Sequence, residues 1–339
     1  MAVYAFWNNK GGTGKTSLAF QAICRYANLH PNKKVLAVDI CPQANLSELF
    51  LGGLVNHGSD NLLMRQGATP RATIGGYFQL RLPSPYSPVS FLPNDFLTDP
   101  HSFNVSIPSN ITLLCSDPLL ELQSNAMSTL ANTQIPGTNT WLSIIDWLRD
   151  FLAAANGQYD TIFVDLNPSF SIYTQIALAA ADFLILPIMA DDSSRRAIQN
   201  AFSLVYGLRL PSPIYAQHAF ATKLHAANRP LPKVHLIAKN RITQYMGPAS
   251  AYAAVLDAIE EDVASLMKSN PAFFSFKKTS DGFVEIRDFQ TTGVVAYARG
   301  CPFYDLHSGY LNVVDQRVRV NESQRILCVD AIDSVVSKI

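Results

Sequence analysis

Residues 9–16 stand between a short apolar run and a helix-like segment at 17–29, and they carry the residue types needed to hold a phosphate chain: Asn9-Lys10-Gly11-Gly12-Thr13-Gly14-Lys15-Thr16. Glycines let consecutive backbone N–H groups turn inward around phosphate oxygens, and the N-terminus of the following helix adds partial positive charge. In such a loop Lys15 reaches the β- and γ-phosphates and Thr16 ligates Mg²⁺. Six specified positions arise by chance on the order of 10⁻⁴ times in a chain of this length, so an ordinary glycine turn is a weak alternative. The loop predicts an ATP and Mg²⁺ site with contacts from Lys10, Gly11, Gly12, Thr13, Gly14, Lys15, Thr16 and Ser17.

Acidic and amide side chains follow several apolar runs that have the length of buried strands. Asp39 and Asp165 each end such a run, and Asn8 directly follows another. Because ligands gather at the carboxyl ends of the strands in an open parallel sheet, these three side chains are predicted to face one crevice. Mg²⁺ keeps several waters and takes one or two carboxylates, so Thr16, Asp39 and Asp165 are predicted at the metal. A helix N-cap before the segment that starts at residue 44 is an equally good interpretation of Asp39.

Short apolar runs alternate with longer segments of helical period through most of the chain. This pattern predicts an α/β fold with a predominantly parallel twisted sheet and helices on both faces. The predicted strands are residues 3–7, 35–39, 111–115, 161–165, 183–187 and 234–239. The longest apolar stretch, 176–190, is interrupted by Asp182 and Pro187 and is shorter than the roughly 20 residues that span a bilayer. We therefore interpret it as a helix end followed by a buried strand, and predict no membrane span.

Two further segments have a distinct character. An apolar stripe at helical spacing predicts a core-facing helix before the strand at 161–165; it consists of Trp141, Ile144, Ile145, Leu148, Phe151 and Leu152. Residues 55–108 contain seven prolines, which break long elements, and too many aromatic residues for a solvated linker. We interpret them as an ordered excursion, more readily padding over the sheet edge than a partner-binding surface. The whole chain, 1–339, is predicted to be one domain that ends in a docked helix at about 322–338.

Composition limits the classes of function. The chain has 26 basic and 26 acidic residues, so any binding to nucleic acid or anionic lipid must come from a local patch. Five scattered cysteines without a C-x-x-C pair argue against a disulfide framework, structural zinc or an iron–sulfur cluster, and they indicate a reducing compartment. The first ten residues already have the pattern of a strand and a loop, so a signal peptide is not expected and the predicted location is the cytoplasm.

The phosphate loop departs from the usual G-x-x-x-x-G-K-[ST] pattern, because Asn9 replaces the first glycine and Lys10 follows it. In this it resembles the deviant Walker A loop of the ParA/MinD family of partitioning and positioning ATPases. The segment 39–47, Asp-Ile-Cys-Pro-Gln-Ala-Asn-Leu-Ser, resembles the second motif of that family, and 159–169 resembles its Walker B segment. Asn240-Arg241 stands where an adenine-side asparagine often follows a strand, and residues 299–302 resemble a late Gly-Lys-Pro turn. A simple strand-end turn explains Asn240 equally well.

The resemblance implies an ATP-bound sandwich dimer in which Lys10 reaches the partner's nucleotide, and it places Lys10, Lys15, Asp39 and Cys41 at the catalytic positions. Cys41 stands where the family has the aspartate that positions the attacking water. A thiol with a pKa near 8.5 is only about 3% ionised at pH 7. The rate acceleration of roughly 10²- to 10⁴-fold that a general base provides is therefore predicted to be missing, and hydrolysis to be slow. Asp39, Asp191 or Asp192 are alternative holders of the water.

The resemblance further implies non-specific DNA binding by the ATP-bound dimer, association with the nucleoid, and a ParB-like or other cargo adaptor as partner. No helix-turn-helix precedes the loop, so operator recognition is not expected. The candidate basic residues for DNA are Arg195, Arg196, Arg209, Lys223, Lys239, Arg241, Lys277, Lys278 and Arg299. Two alternatives are a MinD-like membrane switch, which acidic residues in the C-terminal segment disfavour, and a slowly or non-hydrolysing ATP-bound scaffold.

Overall fold

A computed structural model describes residues 1–155, 157–242 and 250–339 of the chain. The strands in this part are β1 (Ala2–Phe6), β2 (Val35–Asp39), β3 (Leu97–Thr98), β4 (Ile111–Leu114), β5 (Thr161–Asp165), β6 (Phe183–Ile188), β7 (Lys233–Ile242), β8 (Phe283–Arg287), β9 (Gly309–Val313) and β10 (Gln316–Val320).

Helices connect most of the strands. They are α1 (Lys15–Leu29), α2 (Asn45–Phe50), α3 (Gly58–Gln66), α4 (Ile74–Arg81), α5 (Leu119–Asn132), α6 (Thr140–Ile145), α7 (Trp147–Ala154), α8 (Ile172–Ala180), α9 (Asp192–Tyr206), α10 (Pro213–Ala216), α11 (Phe220–Ala226), α12 (Ser250–Ser269), α13 (Thr279–Gly282), α14 (Gln290–Arg299) and α15 (Glu322–Val336). Three short 3₁₀ turns lie at Pro93–Asp95, Pro100–Ser102 and Pro271–Phe273.

Eight strands form one sheet in the order β3-β4-β2-β5-β1-β6-β7-β8, and all neighbours are parallel except β3, which runs antiparallel to β4. Alternate residues of each strand face opposite sides of the sheet. Val3 and Ala5 of β1 belong to one apolar core, while Tyr4 and Phe6 belong to the other. The helices α1, α2, α14 and α15 cover the second face, and α4 to α9 cover the first. The predicted α/β class with a mostly parallel sheet between helices is confirmed.

The six predicted strands all exist, with ends that differ by at most three residues. The stretch 176–190 consists of the end of α8 and the buried strand β6, as predicted. The apolar stripe at 141–152 is buried, but it belongs to two helices, α6 and α7, which meet at Asp146. The prediction of one continuous helix there is therefore wrong, although the buried face is the predicted one. No helix among the described residues is long and apolar enough to cross a membrane.

The excursion at 55–108 contributes to the sheet and to its core. It contains α3 and α4, and its strand β3 forms the edge of the sheet beside β4. Tyr77 and Phe78 are fully buried, and Tyr77 lies against Phe91, Phe96 and Phe151 with ring centroids 4.8–5.8 Å apart. The aromatic residues of this segment are therefore used for packing.

The C-terminal part adds a helix and a separate two-stranded ribbon. Helix α15 packs against α1 through Cys328, Ile332 and Val335, and Arg25 of α1 forms a salt bridge with Asp333. Strands β9 and β10 pair with each other, antiparallel, and form their own sheet beside α14. The single-domain organisation over 1–339 stays a prediction.

Candidate functional site

The phosphate loop connects β1 to α1, and its backbone depends on glycine at two places. Gly12 and Gly14 have φ of 73° and 75°, a left-handed conformation that glycine adopts without steric cost. A Cβ on Gly14 would also lie 2.4 Å from Nδ2 of Asn240. Gly14 precedes α1 without any side-chain cap, which leaves the first N–H groups of the helix for a ligand. A Cβ on Gly11 or Gly12 would meet none of the described residues within 4 Å, so this part of the loop borders open space in the described structure.

The two side chains at the start of α1 point to the carboxyl ends of β1 and β5. Lys15 is buried, and its Nζ donates to the carbonyl of Lys10 at 3.0 Å. Burial lowers the pKa of Lys15, although the nearby Asp165 opposes the shift. Thr16 Oγ1 donates to Asp165 Oδ2 at 2.7 Å. The predicted metal residues Thr16 and Asp165 therefore lie in direct contact.

Asp165 is fully buried, and its Oδ1 has no hydrogen-bond partner among the residues that the structure describes. Burial, together with the charge of Asp39 on the neighbouring strand, raises the pKa of Asp165 to about 7, against the hydrogen bond from Thr16 and the charge of Lys15. A buried oxygen without a partner is costly in a folded protein unless a ligand satisfies it. This free oxygen beside Thr16 fits a Mg²⁺ with its water shell.

Asp39 pairs with Asp165 in the register of β2 and β5, but its oxygens are already used. Its Oδ1 accepts from the backbone N–H of Cys41 at 3.0 Å, and its Oδ2 accepts from the N–H and the hydroxyl of Ser47 at 2.9 and 2.7 Å. Burial raises the pKa of Asp39 to about 6, although these hydrogen bonds lower it. Asp39 therefore fixes the loop at Cys41 and the first turn of α2 through direct hydrogen bonds. Ala44 occupies the N-cap position without a side-chain cap, and Asp39 supplies the capping contact instead, because its Oδ2 accepts from the N–H of Ser47 in the first turn of α2.

Cys41 lies in the same buried corner. Its side chain is almost completely enclosed, and its carbonyl accepts from the hydroxyl of Ser116 at 2.6 Å. Burial, with a further contribution from the charge of Asp39, raises the pKa of the Cys41 thiol to about 12. The sequence-based value near 8.5 is therefore too low, and the thiol is neutral at pH 7. A neutral thiol is a poor proton acceptor, so Cys41 has no means to act as a general base.

Lys10 makes its contacts within its own chain. Its Nζ lies 2.5 Å from Asp191 Oδ2 and 3.2 Å from the hydroxyl of Ser194, both at the start of α9. Asp191 is also the N-cap of α9, where it accepts from the N–H of Ser194. Although burial opposes it, the hydrogen bonds from Lys10, Ser193 and Ser194 lower the pKa of Asp191 to about 2. Asp191 is therefore a charged partner of Lys10, and its predicted role as a substitute holder of water is not supported by these contacts.

A cavity of about 840 Å³ opens beside the loop. Its walls include Gly14, Ser17, Asn240 and Arg241, which were predicted at the nucleotide, and Phe289 and Tyr297, which were not. Asn240 Nδ2 donates to the carbonyl of Thr13 at 2.7 Å, so the end of β7 is tied to the phosphate loop. Sequence reasoning missed the strand β8 and the loop after it. The alternation of Val284 and Ile286 with charged residues is the period-2 signal that predicts this strand.

The basic residues predicted to bind DNA are spread over several elements, and five of them are engaged within the chain. Arg195 pairs with Asp262, and Arg196 pairs with Asp192. Lys239 is buried between Glu260 and Glu285, and Lys223 lies over the ring of Trp141. Arg241 lines the cavity, and Arg299 donates to the carbonyl of Asn312. Among the described residues, Lys277 and Lys278 are exposed and form no salt bridge.

Three features of the site fit a Mg²⁺-nucleotide. Within the described part of the chain, the glycine loop borders open space and presents free helix N–H groups. There, Lys15 has no carboxylate partner within salt-bridge distance, and Asp165 has an unused oxygen next to Thr16. Such a set can cradle phosphate oxygens and hold a hydrated cation at the same place. The apolar walls of the adjoining cavity suit a base.

Comparison with known proteins agrees with this geometry. The sequence profile of the AAA_31 family, described as an AAA domain, matches residues 1–209. The chain is 28% identical over 222 residues to the cell division protein PomZ of Myxococcus xanthus, which covers 63% of this chain and 54% of that protein. It is 26% identical over 201 residues to the virulence plasmid ParA family protein pGP5-D of Chlamydia psittaci, covering 59% of this chain and 61% of the relative. The match thus spans about half to three fifths of these two relatives.

Solved structures with a similar fold extend the likeness to the whole chain. An ATP complex of a single-residue variant of Cyanothece McdA has a TM-score of 0.65 at 16% identity and covers 100% of this chain and 96% of its own. A plasmid partition protein from Borrelia burgdorferi has a TM-score of 0.53 at 14% identity and covers 100% and 99%. At such low identity these likenesses concern the fold alone.

Proposed function

The chain belongs to the AAA_31 family and is a P-loop ATPase of the ParA/MinD type, and from this premise we propose that it is an ATP-switched dimer that binds DNA non-specifically and positions a cargo through an adaptor protein. The names of the relatives, a cell division protein and a plasmid ParA family protein, support a positioning or partition role. We further propose that it works in the cytoplasm and joins the nucleoid in its ATP-bound form.

The observation that carries the proposal is the contact of Thr16 with Asp165, whose second oxygen has no partner, directly behind a glycine loop with Lys15. In the proposed complex, Lys15 and the loop N–H groups hold the phosphates, and Thr16 and Asp165 hold the hydrated Mg²⁺. When bound, the cation supplies charge neutralisation for phosphoryl transfer. Asp39 orients the loop around Cys41 through its contacts with Cys41 and Ser47.

Dimer formation requires a change at Lys10. Its ammonium group is paired with Asp191 of the same chain, so it must leave this carboxylate before it can reach the nucleotide of a second copy. Because the side chains of Lys10 and Asp191 are 22% and 38% exposed, water can replace each partner at low cost. The triphosphate offers more negative charge than one carboxylate, and this favours the exchange when ATP is present.

The experiment that tests the proposal separates nucleotide binding from dimerisation. The wild-type chain is expected to dimerise with ATP and Mg²⁺ in analytical ultracentrifugation. Lys15→Ala is expected to lose ATP affinity by at least about 100-fold, since it removes the charge-assisted contact to the phosphates. Lys10→Ala should keep ATP binding and stay monomeric. A wild-type chain that remains monomeric with ATP and Mg²⁺ would overturn the dimer, whereas dimerisation by Lys10→Ala would overturn only the role of Lys10.

A second candidate function is an ATP-bound scaffold with little or no hydrolysis, and the buried, neutral Cys41 favours it. Turnover measured with and without DNA distinguishes the two candidates. Stimulated hydrolysis supports the switch, while a rate near zero under both conditions supports the scaffold. The membrane-switch alternative has less support, because the buried residues of α15 pack against α1 and its Asp333 is paired with Arg25.

A further inference from the structure

The ribbon formed by β9 and β10 has two faces of different character. Leu311, Val313 and Val318 pack against the apolar core below the ribbon, and Val320 is buried. The opposite face is exposed and polar, and it consists of Tyr310, Asn312, Arg317 and Arg319. In the antiparallel register Arg319 lies across from Tyr310 and Arg317 across from Asn312. The four side chains therefore share one outward surface, which we call the ribbon face.

The two arginines of the ribbon face are held over an aromatic ring and lack a carboxylate partner. The guanidinium carbons of Arg317 and Arg319 lie 5.0 and 6.0 Å from the ring centroid of Tyr310, which is 58% exposed. Neither arginine forms a salt bridge within the described part of the chain, in contrast to Arg195 and Arg196. Stacking on a ring orients a guanidinium while its N–H groups stay available to an anion.

The charges around the ribbon face favour an anionic partner. Residues 309–320 contain two arginines and a single acidic residue, Asp315, which lies in the turn between the strands. A third cation, Arg299 of α14, is attached to the ribbon by a 3.1 Å hydrogen bond to the carbonyl of Asn312. The chain as a whole has no net charge, so this excess of positive charge is a local feature.

We propose that the ribbon face binds the phosphate backbone of double-stranded DNA. A two-stranded β-ribbon is one of the elements that fit the major groove, which is about 12 Å wide. Arg317 and Arg319 are two residues apart on β10, which separates their Cα atoms by roughly 6.8 Å along the strand. This distance equals the rise of two nucleotides along one DNA strand. None of these contacts reads a base, so the binding is sequence-independent. The choice of DNA as the partner rests on the proposed function. Apart from Arg299, the residues assigned to DNA here were not among the basic residues predicted from the sequence to bind it.

The ribbon is also connected to the nucleotide cavity. Val313 of β9 lines the cavity together with Tyr297 of α14, and Arg299 at the end of α14 reaches Asn312. A base that fills the cavity therefore contacts the residues that support the ribbon. An ATP-bound dimer carries two ribbon faces, and the second doubles the number of phosphate contacts available to one duplex.

The test compares two double variants of the full chain that remove the same charge. Binding to a labelled random-sequence duplex is measured by fluorescence anisotropy with ATP and Mg²⁺ over a range of salt concentrations. R317Q/R319Q is expected to bind at least tenfold more weakly. Its slope of log K against log salt should be shallower by about 1.8 per chain, since each lost contact accounts for about 0.9. The matched control K233Q/K268Q changes two exposed lysines that lie outside the ribbon and are not among the predicted DNA-binding residues, and it should bind like the wild type.

The possible failures are distinguishable. If the wild type binds DNA and R317Q/R319Q binds equally well with the same salt slope, the ribbon face is wrong while the proposed function stands. If the wild type does not bind DNA with ATP, both the ribbon site and the DNA part of the proposed function are wrong. Ribbon-dependent binding to anionic lipid vesicles or to an acidic polypeptide, with DNA binding unchanged, would overturn the choice of partner. ATP-dependent dimerisation of R317Q/R319Q serves as the folding control, and the single variant R317Q repeats the test with half the expected change in slope.

Discussion

The floor and the rim of the phosphate site carry charges in very different surroundings. The floor contains Asp39, Asp165 and Lys15, all buried, with the thiol of Cys41 beside them. The rim contains Lys10 and Asp191, which pair at 2.5 Å while both side chains remain partly exposed. Burial raises the pKa of Asp165 to about 7 in the floor, whereas hydrogen bonds lower the pKa of Asp191 to about 2 at the rim even though burial opposes them.

This difference separates binding from switching. The floor has a buried carboxylate oxygen without a partner, so it is poorly satisfied until a cation or phosphate arrives. The rim is fully satisfied within one chain, so a ligand must compete with an existing contact. We expect substitutions in the floor to change ATP turnover and the free energy of unfolding strongly. Substitutions at the rim should change the dissociation constant of the dimer by a smaller amount.

The largest effect is expected at Cys41. Cys41→Asp supplies a carboxylate where the resemblance to the ParA/MinD family places the group that positions water, and we expect turnover to rise by about 100-fold with little change in ATP affinity. The measurement is steady-state phosphate release at saturating ATP and Mg²⁺. The new carboxylate would lie close to Asp39 and Asp165, so the variant is expected to be less stable without the cation.

Cys41→Ser is the matched control, because it keeps the size and the neutral charge of the side chain. Its turnover should equal that of the wild type. Unchanged turnover in Cys41→Asp, combined with a wild-type rate typical of active ATPases, would mean that another residue holds the water. Asp39 and Asp192 would then be the first substitutions to test.

The next effect is expected at Asp165, whose buried carboxylate is only partly compensated by Thr16 and Lys15. Asp165→Asn should raise the free energy of unfolding of the ligand-free chain by on the order of 2 kcal/mol at pH 8. A carboxyl group with a raised pKa binds its proton more tightly in the folded state, so its ionisation costs stability as pH rises from about 4 through 7. The stability that Asp165→Asn gains over the wild type should therefore shrink towards pH 4. Urea unfolding at pH 5 and 8 measures it, and the same variant should lose the Mg²⁺ dependence of ATP binding.

The smallest effect is expected at the rim. Asp191→Asn removes the charge that holds Lys10 but keeps an oxygen that caps α9, since asparagine and aspartate are comparable N-caps. A partly exposed ion pair contributes about 0.5 kcal/mol, and two such pairs break when the dimer forms, so the dissociation constant of the ATP-bound dimer should fall about fivefold. Sedimentation at several protein concentrations resolves this change. Weaker dimerisation would show that Asp191 supports the closed state instead of competing with it.

The sequence was sufficient for the fold class and for the phosphate loop, because both depend on local signals. Six strands follow from short apolar runs. Thr16 and Asp165 meet as predicted because β1, which leads into the loop, and β5, which ends at Asp165, are parallel neighbours. The contact of Lys10 with Asp191 joins residues 181 positions apart, and no periodicity encodes it. The thiol pKa of Cys41 was misjudged for a related reason, since burial by residues distant in sequence sets it.

Surface charge was the least predictable property. The sequence gives the number of basic residues but not their partners, so Arg195 and Lys239 were taken as candidates although carboxylates on other elements engage them. Arg317 and Arg319 were overlooked although β10 alternates between charged residues and valine, because a strand of five residues is too short to stand out in the sequence. Strands of this kind are defined by their pairing rather than by intrinsic preference.

The shortness of β3 has a consequence for how copies of the chain meet. The outer strand of a sheet exposes N–H and C=O groups on which another chain can pair, and a long flat edge invites aggregation. Here that strand has two residues, runs against the direction of its neighbour, and lies between turns that begin at Pro93 and Pro100. Proline has no N–H to donate to a ladder. The sheet is therefore closed to extension on this side, and a second copy of the chain is not expected to associate by adding a strand to β3.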